Sequence, residues 1–116
     1  MADITIYHNP LCSKSRQALE LVLQHGGSPE VIEYITTPPD LQTLENILRD
    51  ARLEARDLIR SSEEIYQQLG LDNPELSDDV LLDAMLRHPI LINRPIVVTP
   101  RGTRLCRPAE RVLEIL

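Results

Sequence analysis

Residues 7–16 read YHNPLCSKSR and join an apolar run to an amphipathic one. The apolar run, residues 4–7, has the alternation expected of a β-strand. The amphipathic run has apolar residues at helical spacing and stops at Gly26 and Gly27. The sequence therefore predicts a strand, a tight connection and a helix, with Cys12 at or just before the first helical turn.

The predicted position of Cys12 favours a reactive thiolate. Free backbone N–H groups and the positive end of the helix dipole stabilise negative charge at a helix N-terminus. We expect Lys14, Arg16 and a protonated His8 to add to this effect, and such surroundings lower a cysteine pKa from ~8.5 to ~7 or below. The alternative is a small buried apolar cysteine, but the polar residues on both sides of Cys12 favour the reactive interpretation.

The composition predicts one globular domain with an aliphatic core. The chain has 116 residues, of which 42% are hydrophobic and 3% aromatic, so leucine, isoleucine and valine must form the core. The net charge is −6. Because nucleic acids and anionic membranes attract basic surfaces, we expect neither as a partner. An anionic ligand would need arginines gathered locally against this acidic background.

The sequence also predicts a protein of the reducing cytoplasm. No apolar stretch approaches the ~20 residues of a membrane span, and the first residues lack a secretory signal pattern. The cysteines, Cys12 and Cys106, are far apart and match neither a disulfide framework nor a zinc spacing. We expect no metal site and no bound cofactor.

A second strand and then several helices follow the first helix. Residues 30–35 read as a strand parallel to the first, because the two would form a βαβ unit. Thr37 is the expected N-cap of the next helix, with Pro38 at its first position. Residues 52–88 also read as helical, with a capping box in residues 61–64.

The last helix of this predicted block begins at Ser77 and ends before Pro89. We interpret residues 38–88 approximately as a helical insertion within a single domain, residues 1–116.

The C-terminal part of the chain predicts two antiparallel strands and a helix. Residues 96–99 form the clearest strand, residues 100–102 a turn, and residues 103–106 the returning strand. Pro108 then begins a last helix. The order β-α-β, helical block, β-β-α, with a cysteine at the first helix, resembles the thioredoxin/glutaredoxin arrangement, an α/β fold with a mixed sheet.

The pattern after Cys12 predicts monothiol chemistry. Thioredoxin-like redox domains usually carry Cys-x-x-Cys, but here Ser15 occupies the second position. A mixed disulfide on Cys12 must therefore be resolved by another thiol. Cys106 is the internal candidate for that role, although a buried place in the last strand is the interpretation we favour for it.

Three arginines stand at positions suited to binding an oxyanion: Arg60, Arg94 and Arg107. Each of the latter two precedes a proline at one end of the β-β unit, which restricts the backbone to extended conformations. Guanidinium groups bind tetrahedral oxyanions in bidentate fashion. Taken singly, each arginine could instead be a solvated surface residue.

Three motifs make the resemblance specific. They are HNPLCSKSR at residues 8–16, HPILINRPIVV at residues 88–98 and GTRLCRP at residues 102–108. Together they closely resemble the glutaredoxin-coupled arsenate reductases. The likeness runs over essentially the full chain and includes LIR at residues 58–60 and YQQLGL at residues 66–71.

This resemblance implies a role for each matching residue. Cys12 would be the nucleophile that attacks arsenate, and His8 would help to keep it ionised. The oxyanion and the intermediates would be held by Arg60, Arg94 and Arg107. Supporting roles fall to Asn9, Ser15, Arg16 and Pro95, and the resemblance implies a cis Arg94–Pro95 bond.

The resemblance also implies the reductants. Glutathione, as a co-substrate, would convert the thiol–arsenate adduct into a Cys12–glutathione disulfide, and glutaredoxin would complete the cycle with release of arsenite. Two other functions remain open. One is a glutathione-linked thiol oxidoreductase with another substrate. The other is an Spx-like regulator that binds RNA polymerase, although Ser15 removes the Cys-x-x-Cys switch of those regulators.

Overall fold

A computed structural model describes residues 3–116. The chain first forms β1 (Thr5–His8), α1 (Ser13–Gln24), β2 (Glu30–Glu33), α2 (Leu41–Ala51), α3 (Ala55–Leu58), α4 (Glu64–Gln68) and α5 (Asp78–Arg87). A short 3₁₀ helix (Pro89–Leu91), β3 (Ile96–Thr99), β4 (Gly102–Leu105) and a C-terminal 3₁₀ helix (Ala109–Ile115) complete it. None of the helices within residues 3–116 has the length and apolar character needed to cross a membrane.

The chain divides into two compact units. The first contains the residues up to Thr37 together with Arg94–Leu116, and the second is Pro38–Asn93. The second unit begins where the helical insertion was predicted to begin. The interpretation of residues 1–116 as a single domain with an insertion stays a prediction.

The first unit is built on a four-stranded mixed sheet in the order β2-β1-β3-β4. Strand β1 pairs in parallel with β2 and antiparallel with β3, and β3 pairs antiparallel with β4. The parallel pair requires a crossover, which α1 provides. The predicted α/β fold with a mixed sheet is therefore confirmed.

The core of the first unit lies where the central strands meet helix α1 and the C-terminal 3₁₀ helix. Ile6 on β1 pairs with Val97 on β3, and both side chains are fully buried. The same cluster contains Ala18, Val22, Cys106, Ala109, Val112 and Ile115. Aliphatic side chains on successive elements thus form the core that the composition predicted, and they pack α1 against the sheet.

Four predicted elements of the first unit differ in detail. Strand β1 spans Thr5–His8 rather than residues 4–7, and β4 spans Gly102–Leu105 rather than residues 103–106. Strand β2 ends at Glu33 rather than at residue 35, because the N–H groups of Thr36 and Thr37 both donate to the Glu33 carbonyl and turn the chain. The predicted last helix is a 3₁₀ helix that begins at Ala109, after Pro108.

In the second unit, the predicted N-cap of α2 is wrong. The cap is Asp40, whose carboxylate accepts a hydrogen bond from the Thr43 N–H at 2.8 Å, and not Thr37. Hydrogen bonds from the side chain and the backbone of Thr43 lower the pKa of Asp40 below its ordinary value. The physical reason for the later start is that Pro39 disfavours the helical conformation of Pro38.

The predicted capping box in residues 61–64 is also wrong. Helix α4 follows Glu63, and no side-chain capping bond is made there. The Glu63 carboxylate instead forms an ion pair with Arg60. The start of α5 is confirmed, since the Ser77 hydroxyl accepts a hydrogen bond from the Val80 N–H at 3.4 Å. Residues 52–88 are therefore three helices separated by turns.

The packing of β1 predicts a large difference between paired residues. Ile6 is 0% exposed, whereas Val31, its partner on β2, is 42% exposed. Ile6→Ala leaves a cavity, so we expect the free energy of unfolding to fall by about 2–5 kcal/mol. Val31→Ala, the control, should cost less than about 1 kcal/mol. Urea unfolding measures both, and equal losses would show that Ile6 is not at the core.

Candidate active site

Cys12 is held by a tight turn that leads directly into α1. Its N–H donates to the Asn9 carbonyl at 3.0 Å, which closes a turn with Pro10 at the second position. The Asn9 side-chain oxygen accepts the Leu11 N–H at 3.0 Å, and an Arg16 guanidinium nitrogen donates to the Pro10 carbonyl at 2.8 Å. Hydrogen bonds from Leu11 and Arg16 thus stabilise the turn. Cys12 is the N-cap residue of α1.

The surroundings of Cys12 favour its thiolate. Burial, with 9% of the residue exposed, acts to raise the pKa of the thiol. The Ser15 N–H, the charge of Arg94, the Lys14 N–H and a hydrogen bond from the Arg94 side chain all act to lower it, and the net pKa is below the ordinary value. The helix N-terminus contributes as predicted. The stabilising cation is Arg94, rather than the side chains of Lys14 and Arg16.

His8 is buried at the end of β1 and makes a short hydrogen bond. Its Nδ1 lies 2.6 Å from the Ser15 hydroxyl oxygen. Burial lowers the pKa of His8, the Glu33 carboxylate raises it, and Arg16 lowers it, with a net value below the ordinary one. The protonated His8 that the sequence suggested is therefore disfavoured at neutral pH. Its assignment as a catalytic residue stays a prediction.

Ser15 connects the strand end to the helix start. The fully buried hydroxyl oxygen accepts a hydrogen bond from the Asn9 N–H at 3.0 Å and lies against His8 Nδ1. Because Asn9 and His8 belong to β1 and its turn, while Ser15 belongs to α1, one hydroxyl joins both elements. The structure thus brings His8, Asn9, Cys12 and Ser15 together where β1 leads into α1.

Arg94 precedes β3 and Arg107 follows β4, and both lie at the same end of this antiparallel pair, where Ile96 is opposite Leu105. Arg94 is buried just before β3, and Arg107 is exposed just after β4. A guanidinium nitrogen of Arg107 donates to the Arg94 carbonyl at 3.1 Å. The predicted cis bond between Arg94 and Pro95 is present, and the bond between Arg107 and Pro108 is also cis.

Arg60 belongs to the second unit and is held there by its own contacts. Its N–H donates to the Leu91 carbonyl at 2.6 Å, and its guanidinium lies 2.7 Å from Glu63, with side chains 24% and 21% exposed. Its buried Nε makes no hydrogen bond with any residue in the described range 3–116. The oxyanion-binding role of Arg60 stays a prediction.

Cys106 lies in the core of the first unit, which is the interpretation that we favoured. It is fully buried, its sulfur donates to the Arg104 carbonyl at 3.6 Å, and burial raises its pKa to about 12. At neutral pH it is a thiol and a poor nucleophile. Within residues 3–116, no group of three or more His, Cys, Asp and Glu side chains is placed to hold a metal ion.

Comparison with known proteins identifies the family. Residues 7–115 match the sequence profile described as the ArsC family. The chain belongs to this family. An arsenate reductase of Escherichia coli K12 is 53% identical over 116 residues, which are 100% of this chain and 82% of that protein. An arsenate reductase of Rhizobium meliloti is 52% identical over 113 residues, covering 97% of this chain and 81% of that protein.

A solved ArsC structure supports the same assignment. The arsenate reductase from Vibrio cholerae superimposes with a TM-score of 0.93 and 47% sequence identity, and the match covers 97% of each chain. The resemblance to arsenate reductases and the thioredoxin-like fold, both predicted from the motifs, are therefore confirmed.

Sequence reasoning about this ArsC chain missed two acidic residues. Glu33 pairs with His8 in the register of β1 and β2, and Glu63 binds Arg60. The first could have been found, since the predicted parallel pairing brings the ends of the two strands together. The contact between Glu63 and Arg60 was missed because the incorrect capping box gave the wrong start for α4.

The balance of forces at Cys12 predicts the effect of removing one cation. Arg94→Met should raise the pKa of Cys12, because a charge and a hydrogen bond that favour the thiolate are lost. Alkylation by iodoacetamide, followed as a function of pH, should therefore need a higher pH. Lys14→Met is the control, since only the backbone of Lys14 acts on the sulfur. Equal shifts in both variants would contradict the assignment to Arg94.

Proposed function

We propose that this protein is an arsenate reductase that uses Cys12 as its nucleophile and reduces arsenate to arsenite. One observation carries the proposal: a thiolate-favouring Cys12 begins α1 in a chain of the ArsC family. Arsenate reductases match it over its whole length. A thiolate is required because it, and not the thiol, attacks an electrophilic centre.

The chemistry begins with bond formation between sulfur and arsenic. The Cys12 thiolate attacks the As(V) centre, an As–O bond breaks, and the oxygen leaves as water after protonation. The product is a covalent thiol–arsenate adduct. Negative charge develops while an anion attacks an anion, so cationic donors at this point stabilise the transition state.

Arginines supply that stabilisation in the proposal. Arg94 is buried beside the Cys12 sulfur, and the Arg107 guanidinium donates a hydrogen bond to the Arg94 carbonyl. We assign both to the oxyanion and its adduct, with Arg60 as a third ligand. Guanidinium groups suit this role because their paired N–H donors match the geometry of oxyanions. A local group of cations can act in this way although the chain carries a net charge of −6.

Glutathione and glutaredoxin are the proposed reductants. A glutathione thiolate attacks the Cys12 sulfur, a disulfide forms, and the electron pair of the S–As bond stays on arsenic, which leaves as As(III) in arsenite. Glutaredoxin then takes the glutathionyl group and frees Cys12. The support is Ser15, which leaves no local partner thiol, and the unreactive state of Cys106. No resident metal or cofactor takes part in the scheme, and we place it in the reducing cytoplasm.

A coupled assay tests the proposal. With glutathione, glutaredoxin, glutathione reductase and NADPH present, the wild-type protein should oxidise NADPH only when arsenate is added. Cys12→Ser should abolish this activity, because an alcohol cannot replace the thiolate. Cys106→Ser, the control, should retain it, provided that its circular dichroism shows a folded protein.

The same assay separates the alternatives. A folded wild-type protein that becomes glutathionylated at Cys12, yet shows no arsenate-dependent turnover, would be a glutathione-linked thiol oxidoreductase with another substrate. Activity that persists in Cys12→Ser would exclude Cys12 as the nucleophile.

Removal of one proposed oxyanion ligand should weaken catalysis. For Arg107→Ala we expect kcat/KM for arsenate to fall about 10- to 100-fold, since a hydrogen bond to a charged group contributes ~1.5–3 kcal/mol. Arg111→Ala is the matched control, because Arg111 is an exposed arginine that contacts Glu114 at 3.7 Å. Steady-state kinetics measure both variants. An Arg107→Ala enzyme with wild-type kcat/KM would remove Arg107 from the site.

A further inference from the structure

The Ser15 hydroxyl has two hydrogen-bond partners among residues 3–116, and they determine where its proton goes. The Asn9 N–H, at 3.0 Å, can only donate, so it occupies a lone pair of the hydroxyl oxygen. The remaining partner is His8 Nδ1 at 2.6 Å. The hydroxyl proton is thus available to Nδ1, which accepts it only if Nδ1 itself carries no proton. The ring proton of a neutral His8 then lies on Nε2.

The environment of His8 points to the same state. The side chain is buried, which disfavours an imidazolium ion. The charged groups that act on it are Glu33 from β2, which favours the cation, and Arg16 from α1, which opposes it. Burial and Arg16 together outweigh Glu33. A neutral ring whose Nδ1 accepts the Ser15 hydroxyl proton is therefore consistent with the hydrogen bonds of Ser15 and with the charges around His8.

Ser15 also acts directly on the nucleophile through its backbone. Its N–H donates to the Cys12 sulfur and favours the thiolate. The position of that N–H depends on the first turn of α1, which the Ser15 side chain fastens to Asn9 and His8. Ser15 therefore contacts the His8 imidazole through its hydroxyl and the Cys12 sulfur through its backbone N–H.

We propose that Ser15 is a positioning residue, whose hydroxyl fixes His8 as the neutral imidazole with its proton on Nε2 and holds the N–H that binds the Cys12 sulfur. The effect on turnover rests on the proposed function, whereas the state of His8 does not. Ser15 then does more than replace the second cysteine of a Cys-x-x-Cys pattern, because its hydroxyl forms hydrogen bonds within the site.

The state of His8 can be measured directly in the folded wild-type protein. Heteronuclear NMR of the ¹⁵N-labelled protein at neutral pH should show Nδ1 as an unprotonated ring nitrogen and Nε2 as a protonated one. A ring that carries its proton on Nδ1, or that is cationic at neutral pH, would overturn the proposal. This measurement needs no variant, so it decides the question even if a substitution at Ser15 prevents folding.

Substitution tests the causal role of the hydroxyl. In Ser15→Ala, His8 Nδ1 loses its donor, so the pKa of His8 should rise and the Nε2-protonated form should lose its dominance. The pKa of Cys12 should also rise, seen as slower iodoacetamide alkylation at neutral pH. Ser15→Thr keeps the hydroxyl and should restore both properties. Ser13→Ala, which removes an exposed hydroxyl two residues earlier, is the matched control and should change neither.

Turnover separates this proposal from the proposed function. We expect arsenate kcat/KM of Ser15→Ala to fall about fivefold, the equivalent of one neutral hydrogen bond of ~1 kcal/mol. A wild-type enzyme that is inactive with arsenate but has the expected His8 state would refute the function and support the positioning role. An unchanged His8 state in folded Ser15→Ala would refute the positioning role even if the wild-type enzyme reduces arsenate.

Discussion

The competition between burial and hydrogen bonding at the Cys12 sulfur is the constraint on which the rest of the site depends. Burial opposes a charge on the sulfur, and the N–H groups of Ser15 and Lys14 at the start of α1 favour it together with Arg94. These donors reach the sulfur only because the turn closed by the hydrogen bond between Asn9 and Cys12 connects β1 directly to the start of α1. The core that packs α1 on the sheet is therefore also what keeps the thiolate available.

Local charge, and not the total charge, governs this chemistry. The chain is acidic overall, with a net charge of −6. Nevertheless, the strongest cationic influence on Cys12 comes from one buried arginine, Arg94, because Coulomb interactions strengthen as distance and solvent screening decrease. Its backbone carbonyl is in turn a hydrogen-bond acceptor for Arg107. An acidic protein can thus place a cation beside a cysteine without having a basic surface.

Much of the fold could be predicted because the decisive signals were local. The alternation of β1, the helical spacing of α1 and the Ser77 cap each depend on a few neighbouring residues, and the structure agrees with them. The errors arose where two local signals competed. Thr37 resembles an N-cap, but consecutive prolines delay α2 until Asp40. The serines and glutamates at residues 61–64 resemble a capping box, but Glu63 binds Arg60 instead.

By itself, the sequence determined the order of the elements, the place of Cys12 at a strand-to-helix junction, the monothiol pattern and the family. These follow from spacing and residue type over short stretches, and they hold whatever the distant parts of the chain do. Only the tertiary structure decided that Arg94 is the cation beside Cys12, that burial lowers the pKa of His8, and that burial raises the pKa of Cys106 to about 12. The ionisation state of each side chain depends on desolvation and on charges from remote parts of the chain. It is therefore established only after strands such as β1 and β3 have paired.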